Sequence, residues 1–146
     1  MVRFDQVKIL SRDLEALARF YEEALDCEVI VRPLSTDSVV ARGVGVPGGT
    51  VTLCTLRLPG RGGRGPVLEL YSVDGDRPEG WDYLPGNGQL AFHVDDLESA
   101  IGRVLAAGGS QLGEVVEWQG PSGATARFVY LRDPEGNIID LYSRVD

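Results

Sequence analysis

The chain has 146 residues, 43% hydrophobic and 25% charged, the size and make-up of one globular domain. Its net charge of −8 repels phosphate backbones and so argues against nucleic-acid binding. No apolar run nears the ~18 residues of a membrane helix, and Met1-Val2-Arg3-Phe4-Asp5 lacks a signal peptide's apolar core, so no membrane partner and a cytoplasmic location are expected. Cys27 and Cys54 form no C-x-x-C pair, and both read as reduced, buried, small apolar side chains.

In chain order, residues 4–10 alternate and predict a strand. Asp13 then caps a helix carrying Leu14, Leu17, Ala18, Tyr21, Ala24 and Leu25 at helical spacing. Residues 27–33 predict a strand, and 35–44 are ambiguous, with a short helix as one reading. Residues 50–58 and 66–72 are β-branched and apolar strands, separated by the glycine-rich run 60–65. Glycines between two strands make a hairpin loop; a phosphate cradle would have them open a helix. Residues 74–87 are polar and rich in Pro and Gly, a linker by composition. A strand over 89–94 follows, then a helix with Leu97, Ile101, Val104 and Leu105, ending at Gly108-Gly109. Asp95 and Glu98, three apart, resemble a capping box at its start. Strands are predicted over 115–119, 126–132 and 137–144, with Asp133-Pro134-Glu135-Gly136 as a turn.

The chain repeats itself. Gln6 and Gln89 each stand seven residues before an Asp-Leu-Glu, at Asp13 and Asp96, a spacing of 83. Gly65-Pro66-Val67-Leu68-Glu69-Leu70-Tyr71-Ser72 matches Gly136-Asn137-Ile138-Ile139-Asp140-Leu141-Tyr142-Ser143 at a spacing of 71. The first half therefore holds twelve extra residues, expected between Pro33 and Gly49. Two βαβββ units, about 1–73 and 88–146, follow from this, joined by the linker 74–87.

Two segments carry a family likeness. Gly88-Gln89-Leu90-Ala91-Phe92-His93-Val94-Asp95-Asp96-Leu97 and Val129-Tyr130-Leu131-Arg132-Asp133-Pro134-Glu135-Gly136-Asn137-Ile138-Ile139-Asp140-Leu141 resemble signatures of the vicinal oxygen chelate (glyoxalase/bleomycin-resistance) superfamily. The glyoxalase I-like and methylmalonyl-CoA epimerase-like members are the nearest. The resemblance implies an α+β fold in which two βαβββ repeats form one cupped, open-barrel mixed sheet, and it implies a homodimer. It also implies a divalent metal held by Gln6, Glu69, Gln89 and Asp140, the four positions that the internal repeat picks out as two pairs.

Here the chain departs from the family pattern. No imidazole stands at any of the four positions, and Asp140 replaces the longer Glu. Two amides and two carboxylates make a hard, all-oxygen set, which suits Mg²⁺, Mn²⁺ or Ca²⁺ and suits Zn²⁺, Ni²⁺ or Fe²⁺ poorly. An extradiol dioxygenase, which needs two His and one carboxylate, is argued against. The other reading has no metal, with the four residues as polar lining for an organic ligand.

Lys8, Tyr71, His93 and Tyr142 share strand faces with these residues and are candidate substrate contacts. His93 lies about 13 Å along its strand from Gln89, too far to join the same metal shell. Lys8 can pair with Glu69 or with a substrate anion, or turn to solvent. Trp81 and Tyr83 in the linker and Trp118 are aromatic candidates for ligand contact or packing.

What the resemblance implies about function is an isomerase, epimerase or lyase using metal-assisted proton transfer beside a carbonyl, with Glu69 or Asp140 moving the proton. Two alternatives stand beside it. One is a metal-free binding or resistance protein for a drug or natural product, which requires an apolar and aromatic cleft. The other is a metal-free cyclase or isomerase.

Overall fold

The computed structural model describes residues 6–36, 38–43, 46–60, 65–76, 89–119 and 125–145. The elements run β1 (Gln6–Leu10), α1 (Leu14–Leu25), β2 (Glu28–Ser35), α2 (Ser38–Gly43), β3 (Thr50–Arg57) and β4 (Val67–Asp74). They continue with β5 (Gln89–His93), α3 (Leu97–Ala106), β6 (Ser110–Gln111), β7 (Val116–Gln119), β8 (Thr125–Arg132) and β9 (Ile138–Val145). The chain divides into two compact units. One holds β1–β4, α2 and all of α1 but its last three residues, and the other holds β5–β9 and α3. Among the described residues no helix is long and apolar enough to cross a membrane.

The first sheet has the order β1-β4-β3-β2, with β1 parallel to β4 and the remaining pairs antiparallel. The second has the order β5-β9-β8-β6, with β7 also paired to β8 and β5 parallel to β9. The topology is the same in each unit, so both are βαβββ, as the repeat predicts. In the second unit the edge strand is split into β6 and β7. The counterpart β2 is continuous but carries register shifts between Val29 and Val31 and between Val31 and Leu34. Such irregularities are common on edge strands, which no neighbour holds straight.

Strand register makes the repeat exact enough to number. Gln6 pairs with Val67 and Lys8 with Glu69; Gln89 pairs with Ile138 and Ala91 with Asp140. Both spacings, 83 and 71, are preserved in these partners. Arg57 pairs with Val67 and Arg132 with Ile138, so β3 and β8 correspond at a spacing of 75. Only eight of the twelve extra residues therefore precede β3, where α2 sits, and four lengthen the β3–β4 hairpin. Sequence alone assigned all twelve to 33–49, because a glycine-rich hairpin carries no register information of its own.

Local chemistry explains the helices. In α1, Asp13 has extended backbone and its carboxylate accepts the Ala16 amide at 3.0 Å, satisfying a free N-terminal donor. The helix ends at Asp26, in the left-handed conformation at φ 53°, where the Asp26 and Cys27 amides close on the Tyr21 carbonyl. In α3 the cap is Asp96, whose carboxylate accepts the Ser99 amide at 2.9 Å. The capping box expected from Asp95 and Glu98 does not form. Asp95 lies one residue too early, and Glu98 turns to an ion pair with Arg127 of β8.

Alternation divides each sheet into two faces. Leu56, Leu68, Leu70 and Cys54 of the first sheet are fully buried on one face. Cys54 lies within electrostatic reach of Glu15 and Glu22, which places α1 over that face. Burying each large side chain there contributes about 1.5–3 kcal/mol. Val129, Leu131, Ile139 and Leu141 do the same in the second unit beneath Leu97, Ala100 and Val104 of α3. Both cysteines are buried, and neither forms a disulfide among the described residues. The opposite face of each sheet carries the candidate residues.

Candidate functional site

On the face of the first sheet away from α1 stand Gln6, Lys8 and Leu10 of β1, Thr55, Leu53 and Val51 of β3, and Glu69, Tyr71 and Val73 of β4. Glu69 is buried, and its Oε1 receives the ammonium of Lys8, its register partner on the neighbouring strand. Lys8, the sole lysine of the chain, keeps its side chain half-exposed. Gln6 is half-buried at the start of β1.

The other end of this face is closed. Ala41 of α2, Val46, Val51 and Val73 form one buried cluster, with Leu10, Val40, Leu53 and Tyr71 packed against it. Val46 seats closely because two glycines make room. A Cβ on Gly49 would stand 2.7 Å from Val46 Cγ1 and 2.4 Å from the Asp74 carbonyl. Gly75, at φ +126°, is restricted to glycine by its backbone as well. The insertion that sequence left ambiguous is thus a short helix serving as a plug, and Tyr71 packs on it.

The second sheet has no such insertion. Its corresponding face presents Ala126, Phe128 and Tyr130 of β8 with Asp140 and Tyr142 of β9, and these five residues line a cavity of about 460 Å³. In register terms Ala126, Phe128 and Tyr130 are the counterparts of Val51, Leu53 and Thr55, and Tyr142 that of Tyr71. Among the described residues, nothing in the second unit covers the positions that α2 and Val46 cover in the first. Phe128 and Tyr130 meet edge to face at 6.0 Å, and exposed His93 meets Tyr142 the same way at 5.2 Å.

Asp140 is the polar group of this cavity. Its Oδ1 is buried and has no hydrogen-bond partner among the described residues. Loss of hydration raises its carboxyl from the ordinary value, with no charged neighbour among the described residues contributing. The turn before it fixes its position. Asp133 is buried; its Oδ1 accepts the Glu135 and Asn137 amides at 2.9 Å, and its Oδ2 accepts Asn137 Nδ2 at 2.7 Å. Gly136 takes φ +90° and returns its amide to the Asp133 carbonyl. The Asp-Pro-Glu-Gly-Asn sequence is thus a rigid hairpin that sets the register of β9 three residues before Asp140.

Sequence singled out Asp140, Tyr142 and His93 on this sheet but not Ala126, Phe128 or Tyr130. The signal was present. Tyr130 pairs with Asp140 and Phe128 with Tyr142 across the hairpin, so residues 126, 128 and 130 share the carboxylate's face. The backbone of Gln89 lies in β5, but its side chain is outside the described residues, as is that of Trp118. Trp81 and Tyr83 lie outside them as well.

Of the described donors, Glu69 and Asp140 fit a divalent ion poorly. Glu69 already carries a cation, and its ammonium partner repels a second positive charge. Asp140 faces carbon from Ala126 and Phe128, where an octahedral ion needs further oxygens. Among the described residues, no three His, Cys, Asp or Glu side chains come together.

A family model described as a glyoxalase-like domain matches residues 4–142. The chain belongs to the glyoxalase-like domain family. That places this glyoxalase-like protein in the vicinal oxygen chelate superfamily, as its two motifs imply. Solved structures agree in fold. A glyoxalase family protein from Bacillus cereus has a TM-score of 0.77 at 20% identity, covering 100% of this chain and 96% of that one. A glyoxalase-related enzyme from Fulvimarina pelagi has 0.59 at 22%, covering 98% and 88%. A glyoxalase/bleomycin resistance protein/dioxygenase family enzyme from Burkholderia phytofirmans PsJN has 0.62 at 13%, covering 99% and 100%. Identities this low establish the fold and no activity. No curated protein matches the glyoxalase-like chain.

Proposed function

We propose that this glyoxalase-like protein binds a small, largely apolar organic molecule in the second unit, without a metal ion. The observation that carries this reading is the cavity itself. About 460 Å³ walled by Phe128, Tyr130, Tyr142 and Ala126 around one buried carboxylate oxygen is the usual form of an organic-ligand site, apolar with few polar groups. The rings bind the body of the ligand, and Asp140 orients it by accepting a hydrogen bond. The first unit contributes no equivalent space over Val51 and Leu53, because Ala41 and Val46 fill it.

The raised Asp140 carboxyl favours a second reading, a metal-free isomerase. Asp140 would take a proton from a carbon beside the carbonyl of a β,γ-unsaturated substrate and return it at the γ-carbon of the resulting dienolate, moving the double bond into conjugation. The Asp140→Asn protein would then bind the substrate and not turn it over.

The test is a thermal-shift screen of aromatic small molecules against the native chain and Ala126→Leu. The larger side chain projects into the cavity from its wall without touching the helix face. Ligands that stabilise the native chain should fail to stabilise Ala126→Leu. Equal stabilisation of both would place binding elsewhere. A calorimetric titration finding one Mn²⁺ per chain, lost in Glu69→Ala, would replace this reading with the metal-assisted one.

A further inference from the structure

We infer that the ligand of the second-unit cavity carries a positive charge, a protonated amine or amidine on a flat apolar body. The inference rests on the cavity reading above and names the ligand's class.

Buried carboxylates are ordinarily paired with a cation or with several hydrogen-bond donors. The two carboxylates related by the internal repeat show the contrast. Glu69 has Lys8 beside it on the parallel neighbour strand. The residue at the Lys8 position in the second unit is Ala91, the register partner of Asp140. The chain therefore supplies a cation to one carboxylate and a methyl group to the other. Among the described residues, Asp140 Oδ1 has no donor.

The groups that face Asp140 do not replace the cation. Across the hairpin stands Tyr130, two residues along β9 stands Tyr142, and His93 of β5 is turned edge-on to Tyr142. Of the arginines on these strands, Arg127 pairs with Glu98 on the helix face, Arg132 donates to the Gly136 carbonyl, and Arg144 stands at the far end of the cavity face, opposite Ala126 and four residues along β9 from Asp140. Burial is the cause that raises the Asp140 carboxyl, and among the described residues no charged side chain adds to it.

The walls suit the same class. Phenyl and phenol faces attract a cation, and the attraction strengthens as water leaves. Phe128, Tyr130 and Tyr142 surround the carboxylate on one face of the sheet. A neutral donor would satisfy Oδ1 but gain nothing from the rings' negative faces. An anion would be repelled. The net charge of −8 further raises the local concentration of cations and lowers that of anions.

Three congeners sharing one ring system separate the possibilities: 2-naphthylmethylammonium, 2-naphthylmethanol and 2-naphthoate. Each is titrated calorimetrically at pH 8 into the native chain, Asp140→Asn, Phe128→Ala and Ala126→Leu. The ammonium should bind the native chain on the order of tenfold more tightly than the alcohol, with the carboxylate weakest. Asp140→Asn should erase the preference of the ammonium over the alcohol, whereas Phe128→Ala should weaken both. Alcohol or naphthoate binding as tightly as the ammonium would overturn the charge class and leave the cavity in place. Binding of all three that survives Phe128→Ala and Ala126→Leu would overturn the cavity reading itself. The ranking on the native chain decides the class even if Asp140→Asn fails to fold.

Discussion

Val46→Ala tests whether α2 is a plug in the energetic sense. Val46 is fully buried in the cluster with Ala41, Val51 and Val73. It is gripped by the close approach of Gly49 and Gly75, so the backbone around it has little freedom to collapse into the space left. Removing two methyl groups forfeits about 1.6 kcal/mol of transfer free energy, and the unfilled cavity brings the loss to about 2–3 kcal/mol. For a chain of 146 residues that lowers the melting temperature by roughly 5–10 °C. Urea denaturation followed by circular dichroism measures it, with the slope unchanged. Local detachment of α2 offers a lower-energy route, which amide exchange detects. The Thr36 amide, bonded to the Val51 carbonyl at 2.8 Å, and the Gly49 amide, bonded to the Val46 carbonyl at 3.0 Å, should exchange faster in the variant. A loss under about 0.5 kcal/mol with exchange unchanged would refute the packing argument and, with it, the asymmetry between the units.

Asp140→Asn should stabilise the folded chain at pH 8 by about 1 kcal/mol, since it removes an ionised group with an unmet oxygen from a partly dry cavity. Because burial raises the Asp140 carboxyl, its cost is present above that raised value and vanishes as pH falls through it. The advantage of the variant should therefore shrink from pH 8 toward pH 4, and a gap constant with pH would contradict the assignment. Lys8→Met should cost about 1–2 kcal/mol by leaving Glu69 buried and unpaired, less than for a fully buried pair because Lys8 is half-exposed. The double variant Lys8→Met/Glu69→Gln should recover most of the loss in a denaturant cycle. Cys27, pushed up to about 12 by burial with Asp26 and Glu22 adding to it, and Cys54, pushed up to about 11 chiefly by burial, should resist iodoacetamide at pH 8. Labelling should begin only on unfolding, and rapid labelling of the native chain would show that these thiols are accessible.

Much of the fold was legible because the chain states it twice. The Asp-Leu-Glu and Glu/Asp-Leu-Tyr-Ser repeats give the two units, their helices and the partners of their terminal strands. The Asp-Pro-Glu-Gly-Asn hairpin is legible too, since each residue has a distinct task in the turn. Edge strands were harder. β2 runs to Ser35 and Ser110–Gln111 forms a separate short strand, because edge pairing answers to one neighbour and leaves a weak pattern.

The candidate site was half legible. Residue type brought out Gln6, Glu69, Gln89 and Asp140 as a symmetric set, which hid their different surroundings. Lys8 against Ala91, and α2 against nothing, break the symmetry. The first contrast is a pair of single residues on neighbouring strands. The second depends on where an insertion packs, which composition does not specify. Phe128 and Tyr130 look like ordinary strand residues until the hairpin register sets them beside Asp140.

The most direct test of a ligand site confined to the second unit is chemical-shift mapping on the isotope-labelled native chain, using an aromatic compound that stabilises it and not Ala126→Leu. Shifts should centre on Ala126, Phe128, Tyr130, Asp140 and Tyr142, with Val51, Leu53 and Thr55 unmoved. Shifts centred on Val51, Leu53, Glu69 and Tyr71 would contradict it, since they would mean that the face covered by α2 takes the ligand.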